Sequence, residues 1–89
     1  MLFPLGQIVS TPGALEALAQ AGETPWFYIT RHQRGDWGVV GEADKLENEL
    51  SLREGFRLLS AYLLKSGVKI WIITEADRSS TCVLLSSEY

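Results

Sequence analysis

The chain is poor in the residues that most often carry chemistry. It has one cysteine, Cys82, so no intrachain disulfide can form, and one histidine, His32. No Cys/His spacing of a zinc site is present, and no metal or cofactor is expected. A lone thiol agrees with a reducing compartment, so a cytoplasmic location is the expectation. No apolar run approaches the roughly 18 residues of a membrane span. The opening MLFPLGQIVS lacks the basic start and long apolar centre of a signal peptide. Positive charge is scarce as well. Eight Lys and Arg stand against eleven Asp and Glu, a net charge of -3. That balance argues against a nonspecific phosphate-binding surface, and so against nucleic acid as a direct ligand. There is no repeat, low-complexity stretch or linker.

What remains is an ordinary globular composition, 46% hydrophobic and 21% charged over 89 residues, which reads as a single α+β domain spanning 1–89. A core of this size supports a net stability on the order of 5 kcal/mol.

Helix signals come in order along the chain. After a short strand or arm at 5–10, Thr11 is placed as an N-cap with Pro12 in the first turn and Gly22 as a stop, predicting a helix over 12–21. Ala14, Leu15, Leu18 and Ala21 share its apolar face. The same grammar repeats with Thr24, Pro25 and Gly35, predicting a helix over 25–34 whose last turn holds Arg31, His32 and Arg34, cations that suit the helix dipole. A third helix is expected over 42–53, with Ala43, Leu46 and Leu50 on its stripe and Gly55 at its end.

The C-terminal third switches to strand period. FRLLSAYLL, VKIWIIT and TCVLLSS predict a three-stranded antiparallel meander packed on the helices by one face. With Ser66-Gly67 as a two-residue hairpin loop, Leu63 faces Ile70, Tyr62 faces Trp71 and Ala61 faces Ile72. With 75–80 as the second loop, Thr74 faces Thr81, Ile72 faces Val83 and Ile70 faces Leu85. These registers put Leu59, Ala61, Leu63, Ile70, Ile72, Val83 and Leu85 on the core face. Ser60, Tyr62, Lys69, Trp71, Ile73, Cys82 and Leu84 fall on a mixed second face, which leaves room for a partner or a homodimer.

Three groups of residues invite a functional reading. RHQRGDWG, 31–38, supports two. His32 can act as acid or base beside the anion-binding Arg31 or Arg34. Alternatively Trp37 packs inward while His32 and Arg34 face solvent and meet a partner. TEADRSST, 74–81, reads as a polar hairpin loop in which Asp77 forms an Asx-turn and pairs with Arg78. Glu75, His32 and Arg78 together supply the base, acid and cation of a metal-independent ribonuclease or toxin-like domain, by residue type alone. The third group is the Tyr62/Trp71 pair at the centre of the mixed sheet face. The expected partner-binding residues are therefore Arg34, Asp36, Tyr62, Trp71, Asp77 and Arg78. The acids of the third helix, Glu42, Asp44, Glu47, Glu49 and Glu54, read mainly as a solvated face.

Four runs, RHQRGDWG, ENELSLREGFRLLSAYLL, KIWIITEADRSSTCVLL and the terminal EY, carry a resemblance to a family of small bacterial proteins from plasmids, integrative elements and chromosomes. Members carry names such as "plasmid-related protein" or "type I restriction endonuclease subunit M". The resemblance covers Phe3 to Tyr89. A methylation subunit needs a glycine-rich cofactor loop and an Asn/Asp-Pro-Pro-aromatic motif, and this chain has neither. What the resemblance implies is a mobile-DNA setting, in which small proteins often act on host defence, and no catalytic residues. The tail departs from the family's expected Leu-Pro-Glu-Glu-Tyr, since Leu85 is followed by Ser-Ser-Glu-Tyr. The leading expectation is a non-enzymatic interaction or inhibitor protein that binds a protein partner, a defence nuclease complex of the restriction or CRISPR type. The ribonuclease reading is the alternative.

Overall fold

The computed structural model describes all 89 residues. The elements run β1 (Gln7–Ser10), α1 (Pro12–Gln20), α2 (Pro25–Gln33), α3 (Glu42–Glu54), β2 (Leu58–Leu63), β3 (Lys69–Thr74) and β4 (Ser80–Leu85), followed by a 3-10 turn at Ser86–Glu88. The class is α+β. The local signals act as physical chemistry requires. Thr11 Oγ1 accepts from the Ala14 amide at 3.1 Å, capping α1. Glu42 and Asp44 open α3 and Arg53 closes it, each sign matching the helix dipole.

The sheet differs from the expected three-stranded antiparallel meander. It has four strands in the order β1-β4-β3-β2. The N-terminal segment is a full member, parallel to β4, with Ile8 beside Thr81 and Val9 beside Cys82. The entry is tight: a Cβ on Gly6 would lie 2.4 Å from the Ser79 backbone. A glycine is therefore needed where the chain joins the sheet.

The β3–β4 register matches expectation, with Thr74 on Thr81, Ile72 on Val83 and Ile70 on Leu85. The β2–β3 register is one residue away from it: Tyr62 pairs with Ile70, Ala61 with Trp71 and Ser60 with Ile72. The cause is the loop. Gly67 has φ +92° and its amide bonds to Leu64 O at 2.9 Å, while the Leu64 amide bonds to Val68 O at 2.8 Å. That is a three-residue loop with a left-handed glycine at its end, where two residues were expected. A slip of one residue turns every side chain of β2 over. Leu58, Ser60 and Tyr62 thus enter the core, and Leu63 stands 55% exposed.

The main core lies on one sheet face, while Ala61, Ile73 and Leu84 are buried on the other. Ala14 and Leu18 of α1, with Tyr28 and Ile29 of α2, pack on Tyr62, Leu64, Ile70, Ile72 and Val83. Complete burial of a side chain such as Leu18 contributes about 2 kcal/mol. A smaller cluster joins Phe3, Trp37 and Leu58, so Trp37 packs inward as its position suggested. Leu15, expected on the core face of α1, is half exposed.

Helix α3 does not use the stripe read from its sequence. Leu46 is 70% exposed and Leu50 38% exposed, while Asn48 and Ser51 are buried. Its task is polar, because it lies against the edge strand β2. Asn48 Nδ2 donates to Leu59 O at 2.7 Å, and the Leu59 amide donates to Asn48 Oδ1 at 3.0 Å. Further along the same edge, the Ala61 amide donates to Trp37 O at 3.0 Å and the Val39 amide to Ala61 O at 2.7 Å. Side chain and loop thereby close this edge of the sheet. A Cβ on Gly38 would sit 2.0 Å from Ala61 O, so glycine is needed for that approach.

Candidate functional site

His32 is the most chemically loaded side chain, and the structure places it where the sequence did not. It was expected to face solvent; it is fully buried. The helix period decides this. Tyr28, Ile29 and His32 form the inward face of α2, and that face rests on the sheet. The ring sits edge-on to Phe3 and Trp37, with centroids at 5.1 and 5.7 Å.

Both ring nitrogens are engaged. Nδ1 meets Ser60 Oγ and Nε2 meets Thr74 Oγ1 at 2.9 Å. Thr74 Oγ1 meets Thr81 Oγ1 at 2.7 Å, and Thr81 donates to Leu5 O at 2.7 Å. A carbonyl only accepts, and each hydroxyl has one proton, so the order of donation is fixed. Thr81 gives its proton to Leu5 O, Thr74 gives its proton to Thr81, and His32 must donate to Thr74 from Nε2. Nδ1 is then bare and accepts from Ser60. One directional chain of hydrogen bonds links β2, α2, β3, β4 and the N-terminal arm. Burial, with a smaller contribution from the Arg78 charge, holds the imidazole pKa down at about 4. Burial thus favours the neutral ring, which is also the form that the chain of bonds needs.

Arg78 closes the cluster from the β3–β4 loop. Its Nη1 donates to Phe56 O at 2.6 Å, to Glu75 O at 3.1 Å and to Ala76 O at 3.2 Å. Its Nη2 donates to Ser51 O at 3.0 Å, and the guanidinium carbon lies 5.7 Å from the Phe3 ring centroid. The residue itself holds φ +60°, unusual for a non-glycine residue. Four backbone carbonyls therefore occupy the guanidinium, which ties α3 and the chain after it to the loop. The expected Asp77–Arg78 pair is absent. Asp77 does form the Asx-turn, accepting from the Ser79 amide at 3.0 Å, and hydrogen bonding from Ser79, its hydroxyl first and then its amide, lowers the Asp77 carboxyl pKa. Glu75 lies at the loop base, 3.9 Å from Arg57. Glu75 is exposed, His32 is sealed and Arg78 is committed to carbonyls, so the three do not open onto one cleft.

The remaining residues singled out in sequence fall apart in space. Tyr62 was expected opposite Trp71 on an open face. It is buried, and its hydroxyl donates to Asp36 O at 2.6 Å. Burial raises its phenol pKa to about 12. Trp71 lies on the other sheet face, its ring centroid 4.8 Å from that of Tyr89 and the two planes tilted by 52°. Those two rings, with Arg57, Leu58, Leu59 and Ile73, line an apolar groove of about 230 Å3. Cys82 is half-buried near Trp71's strand, its thiol pKa pushed up by burial and by Glu88 and Glu75, the opposite of an activated nucleophile. Asp36 accepts from Arg31 at 2.7 and 3.3 Å, and that bond lowers its carboxyl pKa.

A different surface stands out. The outward side of α2 presents Trp26 and Phe27, 59% and 60% exposed. With Thr24, Thr30, Arg31 and Arg34 they line an open basin of about 450 Å3. Arg31 is braced by Asp36 and lies 5.9 Å from the Phe27 ring. Arg34 is exposed and makes no ion pair. Of this surface, only Arg34 was among the partner-binding residues expected from sequence. The signal was present: once Tyr28, Ile29 and His32 are inward, Trp26, Thr30 and Arg34 fall at i, i+4 and i+8 on the outside.

No group of three or more His, Cys, Asp or Glu side chains is placed to hold a metal ion, and no helix is long and apolar enough to cross a membrane. Comparison with protein-family models, with curated proteins and with solved structures finds no match in any of the three.

Proposed function

We propose that this protein is a non-enzymatic binding module that presents the outward side of α2 to a protein partner. The observation that carries the reading is the pair Trp26 and Phe27, standing in solvent on a rigid helix with Arg31 and Arg34 beside them. Tryptophan, aromatics and arginine are the residues that dominate binding energy at interfaces. The partner that fits is a surface with an apolar pocket or ridge for the two rings and carboxylates for Arg34. Tyr28 anchors the helix from below: its hydroxyl donates to Glu23, and Glu23 also accepts from the Lys65 amide at 2.9 Å. The basin is therefore built on a fixed base, which reduces the ordering cost of association.

The mobile-DNA setting comes from the resemblance in the four sequence runs. Within it, the target is a host defence nuclease complex of the restriction or CRISPR type, and binding blocks it. The test adds purified protein to such complexes and follows DNA cleavage and co-elution. Inhibition by the native chain, lost in Trp26→Ala and in Arg34→Glu, is the expected result. Cleavage that proceeds unchanged across the complexes tried removes the defence target. Inhibition that survives both substitutions removes the α2 surface.

A further inference from the structure

The two edges of the sheet are treated differently. At β2, the main-chain groups of Leu59 are both taken by the Asn48 side chain, and those of Ala61 by Trp37 and Val39. At β1 nothing of the kind exists. The Gln7 amide bonds to Ser79 O and the Thr11 amide to Val83 O, each at 3.0 Å. The odd-numbered residues of β1 therefore face β4, and Ile8 and Ser10 turn their N–H and C=O groups outward. The strand carries no charge and no proline, and Ile8 and Val9 are 37% and 40% exposed. A bare, uncharged, β-branched edge is a template for another strand.

We infer that the β1 edge is a self-association surface, occupied by the β1 strand of a second copy of this chain in antiparallel register centred on Val9. The edge is self-complementary. With Val9 opposite its own counterpart, Ile8 of each copy falls opposite Ser10 of the other. Those two positions are the ones with free donors and acceptors, so two copies use all eight outward groups in four hydrogen bonds. The result is one continuous eight-stranded sheet with a two-fold axis at its centre. A short paired edge gives a weak, concentration-dependent dimer. The α2 basin, on a helix that makes no part of this edge, is duplicated rather than covered.

Cysteine trapping reads the register directly. In a Cys82→Ser background, which removes the thiol neighbouring Val9 in the sheet, Val9→Cys places two thiols opposite each other. The separation is about 4.5 Å between Cα atoms of a non-hydrogen-bonded pair, within disulfide range. Ile8→Cys in the same background is two residues out of register with its counterpart and beyond the ~7 Å limit. Mild oxidation is expected to cross-link Val9→Cys about tenfold faster than Ile8→Cys. Sedimentation of the native chain from micromolar to millimolar concentration is expected to show mass rising from 9.9 kDa towards twice that value. Ser10→Pro removes an outward donor without touching the β4 ladder and is expected to abolish the rise. A chain monomeric throughout the range overturns the inference, and so do equal cross-linking rates. A dimer undiminished in folded Ser10→Pro overturns it too, and if that variant does not fold, the cysteine pair decides. Amide protection at Ile8 and Ser10 that appears only on adding a different protein assigns the edge to that partner's strand and overturns the second copy.

Discussion

His32 donates from Nε2 to Thr74 Oγ1 across 2.9 Å of fully buried interior, joining α2 to β3. Neither residue lies near an open cleft, and each has a second partner: Ser60 for the histidine, Thr81 for the threonine. The sole histidine thus acts as the central connector of the fold.

The first prediction is a pH dependence. His32 is held at about 4 in the folded protein against 6.5 for an unperturbed ring. The unfolded chain therefore binds the extra proton between those values. Stability is full above pH 6.5 and falls as pH drops towards 4, by up to about 3 kcal/mol. Asp36, Glu23 and Asp77 have lowered pKa values, so their contributions are lost only at lower pH, below the ordinary carboxylate range. Urea titrations at half-unit pH steps should show the upper slope in the native chain and none in His32→Gln. Imidazole nitrogen chemical shifts should report protonated Nε2 and bare Nδ1 down to about pH 5.

Removing one hydroxyl tests the order of donation. Thr74→Val keeps shape but strands the His32 donor and leaves Thr81 without its donor. The expected cost is about 2–3 kcal/mol, read as a shift in urea midpoint at constant slope. Ser60→Ala removes a single donor to Nδ1 and should cost less.

Arg78 is predicted to be a structural latch. Arg78→Lys cannot reproduce a planar fork spread over four carbonyls. A loss of about 3 kcal/mol is expected, with faster amide exchange at Phe56 and Ser79. Glycine at the same position relieves φ +60° yet loses the bonds, so it should not rescue stability. If Arg78 instead served an anion ligand, substitution would leave stability within about 0.5 kcal/mol.

Asn48 is predicted to protect the sheet edge. Asn48→Ala leaves the Leu59 amide and carbonyl without partners, at an expected cost of about 2 kcal/mol. It also bares the Leu59 end of the β2 edge, while Ala61 stays covered by Trp37 and Val39. Light scattering should then show assemblies larger than the dimer expected of the native chain.

Trp26→Ala and Phe27→Ala separate binding from folding. Both side chains are more than half exposed, so each substitution should move stability by less than about 0.5 kcal/mol. If they anchor a partner, each should weaken its affinity by about 30-fold or more, measured by calorimetry with that partner.

The sequence by itself determined the helices and the strands of the second half. Thr11-Pro12, Pro25, Gly35 and Gly55 act on the backbone next to them, through one cap, a fixed φ and terminal stops, while the Thr24 side chain makes no capping bond. Their effect needs no distant contact. The inward packing of Trp37 and the β3–β4 register were legible for a similar reason, because a bulky ring and a long apolar alternation have one sheltered place to go. Only the tertiary structure decided the rest. One extra loop residue at Lys65–Gly67 turned β2 over and carried Tyr62 into the core and Leu63 out of it. The parallel seat of β1 on β4 depends on partners more than seventy residues away, which no local pattern encodes. His32 changed role on the same ground. A basic residue in a last helical turn suits the dipole whichever way it points, and the direction was set by the Ser60 and Thr74 hydroxyls waiting on two other strands. Local physics fixes where elements start and stop, while long-range registry fixes which side of each element faces the core and which faces a partner.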